Sequence, residues 1–569
     1  MTTKIKHQRG LVFTMAIGIF LCMLDTTVMN IALPAIQSGL KTDLSHLSWA
    51  LNIYTILFAS LTIPLGRVAD ICGRSRIYLF GLALFLMGSV FSGLAASMTL
   101  LIVGRGIQSI GAAIVFPASM TIAIQNVSLD KRTGTIAILG VTQGLAAALG
   151  PTIGGVVVQV VGWRGIFLIN VPFILIALCC CWHLLDFRQA EGAAKIDFLG
   201  SFWSMIVLFS LTLVLVKGSD WGWLNFRILA LIILSCVALI LFVLTECRVE
   251  QPMVPLSLFK NRQFVGASIV TIISGIFLVA VLVLLPSYFT KVQNQSELLA
   301  ALMITPTSAM IFIWSPISGL LLEKVGPRVV IAIGSVALIL GYFALSFLNF
   351  NIYSQLLLGL LLIGTGYGII IGPITVLAAG DFTGELLTAS QSVIGVFRQI
   401  GTSLAVAIFV TALSTNLVNA KQSVWQQSQQ EINQLVLPKE VKQQTLAQVE
   451  RQIFSTQQVS QRKTHGQFIS QVQEHQLVQQ RYQQVVKQEH LTKQPKKAKL
   501  TVYRQIETEV SKKVQEINLQ LAQSVKKIKL QMKTALTFAF KKPYQVALPF
   551  TFLLLVCVSL FDAKSIKQE

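Results

Sequence analysis

The sequence predicts an all-α polytopic membrane protein with about fourteen transmembrane helices, and three observations carry that expectation. Of 569 residues, 54% are hydrophobic and only 12% are charged, with a mean hydropathy of +0.70. That is too little charge to cover the surfaces of a soluble chain of this length. Apolar runs of about 20 residues recur along most of the chain, each long enough to cross a hydrocarbon core of about 30 Å as a helix. Lys and Arg gather in alternate connecting loops, the bias that orients a chain in a bilayer.

Taken in order, the expected spans are 11–34, 49–65, 77–97, 99–122, 136–160, 166–185, 198–217, 228–246, 264–289, 298–322, 329–348, 352–378, 392–413 and 544–562. Lys4, Lys6 and Arg9 precede the first, as in a signal peptide, but no small-residue cleavage site follows, so it is read as a retained span. With the N-terminus inside, the cytoplasmic loops hold Arg67, Arg74, Arg76, Lys131, Arg132, Arg188, Lys195, Arg248, Lys260, Arg262, Lys324 and Arg328. The opposite loops hold little beyond Lys41, Arg164, Lys217 and Lys291, which predicts both termini in the cytoplasm. The organisation expected is an N-terminal six-helix bundle (1–190), two linking helices (191–250), five further helices (251–413), a Gln/Lys-rich extracytoplasmic insert (414–543), and a last helix with its tail (544–569).

The insert is too polar to cross a bilayer. Within it Ile506, Val510, Val514, Ile517, Leu521, Val525 and Ile528 recur at spacings of four and three, predicting an amphipathic helix in a hairpin or coiled-coil arrangement. Leu446, Val449 and Ile453 begin a weaker pattern, and Pro438, Pro495 and Pro543 are expected to interrupt helix. Much of the formal net charge of +21 lies here, suited to anionic head groups or an envelope partner. The eight cysteines lie in or beside spans without metal or disulfide spacing, and no phosphate-binding G-x-x-x-x-G-K-[ST] loop occurs. No metal, cofactor, nucleic-acid partner or enzymatic constellation is indicated, so the expected work is driven by a gradient.

A repeat reveals the architecture. GRVADICGRSR (66–76) follows the second span and GLLLEKVGPR (319–328) the tenth. Gly66, Asp70, Gly73 and Arg74 correspond to Gly319, Glu323, Gly326 and Arg328, the second copy carrying Pro327 between its last two members. An eight-span displacement is what two six-helix halves separated by two extra helices produce, and parallel halves around a midplane site are a transporter design.

In its first span, LDTTVMNIALP (24–34), and in GRVADICGRSR, RGIQSIGAA (105–113), GLAAALGPTIGG (144–155), WRGIFLINVP (163–172) and RQIGTSLAVAI (398–408), the chain resembles the fourteen-span drug:proton antiporter branch of the major facilitator superfamily. The likeness spans everything except the insert. Ser109 stands where the fourth-span motif often has Gly, and Gly165 where Trp is common. The resemblance implies two six-helix bundles plus two helices in a bacterial inner membrane, and proton-coupled multidrug efflux. It also implies that Arg105 takes part in proton coupling and that the fifth-span motif, with Gly140, Gly144, Gly150, Pro151, Gly154 and Gly155, serves antiport.

From the residues themselves, Asp25 is the acid placed well inside a span. An ionised carboxylate there costs about 2.5–3.5 kcal/mol, so it needs a partner, water or a proton. Desolvation raises a carboxyl pKa and a nearby cation lowers it, so changing neighbours bind and release a proton. The alternative is a permanent interhelical hydrogen bond. Arg105 and Gln108 share a helix face; Arg105 either faces the bundle interior or snorkels. Gly140, Gly144, Ala148, Pro151 and Gly155 form a small-residue stripe for close helix approach, with Pro151 adding a kink. Asn30, Trp49, Asn52, Tyr54, Gln108, Gln143, Trp314 and Arg398 are the expected substrate-cavity residues, suited to hydrophobic or cationic small molecules. Three readings stay open: a proton-driven multidrug exporter, a dedicated exporter of a lipid, siderophore or metabolite on the same scaffold, and a membrane scaffold acting through its insert.

Overall fold

The computed structural model describes residues 2–42, 44–185, 187, 197–380, 382–435, 439–454, 471–488 and 496–563, and among them it contains helices and no strand. Thirteen helices are long and apolar enough to cross a membrane, fourteen when one bent pair is counted as a span. Two compact units are present: Met1–Ala412 with Lys541–Glu569, and Leu413–Phe540.

The first unit begins with α1 (Thr2–Leu40), α2 (Leu44–Cys72), α3 (Arg74–Gly93), α4 (Met98–Gln125), α5 (Leu129–Val161), a short α6 (Gly165–Leu168) and α7 (Asn170–Leu184). Two further helices, α8 (Phe198–Trp221) and α9 (Phe226–Glu246), precede α10 (Arg262–Lys291), α11 (Glu297–Val325), α12 (Pro327–Phe347), α13 (Tyr353–Ala379) and α14 (Gly384–Gln434). The chain returns after the second unit through the end of α17 (Lys496–Thr551) and α18 (Leu553–Cys557). The internal repeat is visible in the packing. α4 lies against α3 and α2, and α13 lies against α12 and α11 in the same relation. α8 packs on α2 and on its neighbour α9.

Local chemistry sets the helix ends. Ser97 and Ser296 accept from the backbone N–H groups of Leu100 and Leu299, and the Asp197 carboxylate accepts from Gly200 N at 2.8 Å. These caps satisfy amides that an apolar surrounding would leave costly. Gly73 and Gly326, the second glycines of the two loop copies, have φ of 95° and 88°, a left-handed turn that a Cβ would strain. α5 bends by 48° between Gly134–Ala146 and Leu149–Val161. Pro151 offers no N–H to the carbonyl one turn earlier, at Ala147, which is where the bend falls.

The second unit holds the far part of α14, α15 (Lys439–Phe454), α16 (Gln471–Gln488) and most of α17. Val424, Ile432, Val449, Ile453 and Ile528 form its core, edged by Trp425, Leu446 and Met532. Val514, Leu521 and Ile528 are buried at seven-residue intervals, the seam of a coiled-coil-like packing. Lys527 pairs with Glu431 at 2.6 Å. One expectation is corrected here: Pro543 interrupts nothing, because α17 runs through Pro543 and Pro549 to Thr551. Proline-freed carbonyls within apolar helices find partners in neighbours or adjust locally. Pro438 and Pro495 lie outside the described residues.

Candidate functional site

Asp25 is completely enclosed in the first half, at 0% exposure, and four helices supply its surroundings. Arg105 of α4, 1% exposed, donates from Nη1 to Asp25 Oδ2. Gln108, one turn along α4, donates from Nε2 to Asp25 Oδ1 at 2.9 Å and to Ser89 Oγ of α3, also at 2.9 Å. Asn170, the first residue of α7, reaches Asp25 Oδ1 at 3.4 Å. The guanidinium is itself held: Nη1 also meets Gln108 Oε1 at 3.0 Å, Nε donates to the Ala50 carbonyl at 3.3 Å, and the Tyr54 ring of α2 lies 4.3 Å below it. A buried ion pair repays its desolvation only when the remaining hydrogen-bonding positions are met; here both carboxylate oxygens and the Nε and Nη1 of the guanidinium have partners. Snorkelling of Arg105 is excluded by this burial.

A second cluster joins the halves at the first loop copy. Arg74 Nε meets Asp70 Oδ1 at 2.5 Å, and its Nη2 donates to Thr388 Oγ1 of α14 at 3.1 Å. Thr388 donates to Asp70 Oδ1 at 3.2 Å, and Arg67 pairs with Glu385 at 2.6 Å. Gly66 lies so close to α14 that a Cβ there would come within 2.8 Å of Ser392 Oγ. In the second copy a Cβ on Gly319 would meet Ala137 of α5 at 3.1 Å, so the first glycine of each copy faces the opposite half. Glu323 is half-buried and Arg328 exposed.

The glycines of α5 divide between two faces. A Cβ on Gly150 would overlap the Thr27 side chain, and one on Gly154 would lie 3.0 Å from the Val28 carbonyl, so this face is pressed on α1 just past Asp25. Gly140, Gly144 and Gly155 turn the other way, towards Thr375 of α13 and Ile311 and Ala301 of α11. Thr152 and Thr305 exchange a hydrogen bond of 2.8 Å across the same junction. The glycines of the expected stripe, Gly140, Gly144 and Gly155, thus share the face turned to the second half, while Gly150 and Gly154 make a separate contact with α1, and Pro151 is buried.

Deeper in that junction Arg398 of α14, 8% exposed, donates from Nη1 to Gln143 Oε1 of α5. Gln143 Nε2 reaches Met120 Sδ of α4 at 3.4 Å. Among the described residues Arg398 Nε and Nη2 have no hydrogen-bond partner.

The eight expected cavity residues thus scatter. Gln143 and Arg398 meet between the halves. Tyr54 and Gln108 belong instead to the Asp25 cluster, drawn there by the guanidinium. Trp49 is turned to the linking helices, 6.4 Å from the Trp221 ring with the Lys217 ammonium 5.0 Å from its face, because a cation–π contact is available there. Asn52 is buried on α2 and Trp314 half-buried on α11, and the Asn30 side chain lies outside the described residues. Sequence reasoning missed Asn170, Ser89, Glu385 and Thr388. Asn170 stands inside the quoted WRGIFLINVP segment, where a polar residue beside apolar neighbours was a usable signal; Ser89 had none.

Comparison with known proteins bears on family and fold. Residues 15–406 match the profile of the family described as Major Facilitator Superfamily. The multidrug resistance protein Stp of Mycobacterium tuberculosis is 30% identical over 70% of this chain and 74% of its own. The multidrug transporter protein MdtP of Bacillus subtilis is 29% identical over 73% and 78%. The methylenomycin A resistance protein of Bacillus subtilis is 32% identical over 53% of this chain and 65% of its own. A crystal structure of the human organic anion transporter MFSD10 (TETRAN) superposes with a TM-score of 0.51 at 16% identity, covering 71% of this chain and 93% of that one, which speaks to the fold alone. With two repeat-related helix sets, thirteen or fourteen membrane-length helices and a matched profile over most of its length, the chain belongs to the Major Facilitator Superfamily and is a multi-pass membrane protein.

Proposed function

We propose that this protein exports hydrophobic small molecules across the bacterial cytoplasmic membrane in exchange for protons, by alternating access. The observation that carries the reading is Asp25, a carboxylate enclosed at mid-helix whose cationic partner has somewhere else to go. When Asp25 takes a proton, Arg105 keeps Gln108 Oε1 and the Ala50 carbonyl as acceptors, so both protonation states are hydrogen-bonded. Thr27 and Val28 follow Asp25 directly on α1 and bear on Gly150 and Gly154; α5 in turn bears on the second half. A change at the carboxyl group is thereby transmitted to the junction that must re-form as the halves rock. The multidrug resistance and multidrug transporter names of the relatives support drug export as the use of this scaffold.

Arg398 refines the substrate. A buried guanidinium with unpartnered donors repels cations and favours hydrophobic compounds carrying an acceptor or acidic group. Proteoliposomes with an imposed pH gradient test the reading: native protein accumulates substrate, and Asp25→Asn does not. Equal accumulation by both would remove Asp25 from the coupling.

A further inference from the structure

A large cavity lies away from both clusters. It is a groove of about 840 Å³ between α1, α5 and α7, lined by residues of the first half alone. Phe13, Ile138 and Phe173 line it and are 68%, 54% and 45% exposed, so it opens sideways on a surface that the membrane-spanning fold turns to lipid. Its walls are apolar for most of their length, and the hydroxyl of Thr142, one of the few polar groups there, is occupied by the Ile138 carbonyl at 2.9 Å. At one end stand Arg9 of α1 and Lys131 of α5, both exposed, and neither forms an ion pair among the described residues.

We propose that this groove binds one anionic phospholipid, an acyl chain lying along α1 and the phosphate held between Arg9 and Lys131. The dimensions agree. From Arg9 to Leu24, the groove's extent on α1, is about 22 Å at 1.5 Å per residue, more than the roughly 15 Å of one leaflet's hydrocarbon. Two cations without an ion pair among the described residues match a phosphate at the mouth and discourage a hydrophobic cation. Nor is the groove a path to the carboxylate: its deep end is closed by Leu24 and Ile169, while Asp25 and Asn170, the next residues, are enclosed. The occupant is thus a lipid on the outside of the first half, independent of the export reading.

The test is thermal unfolding of the purified full-length protein in detergent, titrated with palmitoyl-oleoyl phosphatidylglycerol or with the phosphatidylcholine of identical chains. Phosphatidylglycerol is expected to raise the unfolding temperature at a concentration at least tenfold lower than phosphatidylcholine. Arg9→Gln with Lys131→Gln should weaken the phosphatidylglycerol effect about thirtyfold, about 2 kcal/mol at 1.4 kcal/mol per factor of ten, and leave that of phosphatidylcholine unchanged. Thr142→Trp, which fills the groove, should weaken both. Equal action of the two lipids, or an undiminished phosphatidylglycerol effect in the charge variant, overturns the proposal. So does protection by tetraphenylphosphonium that Thr142→Trp abolishes, since the groove would then be a substrate path. The charge variant alters exposed side chains, so the question stays answerable even where Thr142→Trp fails to fold.

Discussion

In the first half, a guanidinium and a carboxylate from different helices neutralise each other, and Gln108, Asn170, Tyr54 and the Ala50 carbonyl complete their surroundings. In the second half, Arg398 is almost as buried, yet it has a neutral Gln143 for its partner and two donor atoms without one. Equal burial with unequal compensation points to different work. On the proposed reading, the pair would hold a proton-sensitive choice within one half, and the under-compensated cation between the halves would leave a place for substrate. In the loop copies Asp70 and Glu323 are both half-buried, and Asp70 is held by Arg74 and Thr388.

The largest effect should come from breaking the satisfied pair. Asp25→Asn leaves Arg105 buried without its counter-charge, a loss of about 3–5 kcal/mol in unfolding free energy, together with loss of gradient-driven transport. Asp25→Asn combined with Arg105→Gln should recover most of the stability and none of the coupling. A double variant that still couples would place the proton elsewhere. Denaturant unfolding in detergent and proteoliposome uptake read the two quantities separately.

Next comes the helix that joins the comparison's two sides. Gly150→Ala puts a methyl group into Thr27 and should cost about 1–3 kcal/mol with a strong fall in transport, relieved by Thr27→Ala. Gly144→Ala meets Ile311 at 3.3 Å and should do distinctly less. If the two glycine variants behave alike, the close contact with α1 is not what constrains α5.

Arg398→Met sharpens the contrast directly. Replacing an under-compensated buried charge by an apolar side chain of similar volume should leave stability unchanged or raise it. Binding of acidic hydrophobic compounds, followed by equilibrium titration, should weaken about tenfold while that of neutral ones holds. Destabilisation with no change in binding would make Arg398 structural. The smallest effect is expected at the first loop copy: Asp70→Asn, which removes the charged acceptor of Arg74, should lower stability by about 1–3 kcal/mol in the same unfolding measurement.

Much of this was legible beforehand, because hydropathy, loop charge and a repeated Gly–acid–Gly–basic pattern are local or periodic properties. They named the spans, the two-half plan and Asp25, while the roles of Arg105 and the fifth-span glycines were implied by the family resemblance. Tyr54 and Gln108 were assigned to the wrong neighbourhood, since one polar residue on an apolar helix looks the same whether it faces a cavity or another helix. Trp49 was misassigned for the same reason. Pro543 read as a helix stop, yet α17 continues, because packing can satisfy a carbonyl that proline leaves free.

What composition and periodicity determined alone was membrane residence, helical class and the presence of an expensive carboxylate that required compensation. Which groups compensate it, which glycines press on which helix, and why one buried arginine is paired while another is not, were decided by tertiary structure. The physical reason is range: burial of a helix follows from its own side chains, but a hydrogen bond between Asp25 and residues 80, 83 and 145 positions away exists only after separate helices have packed.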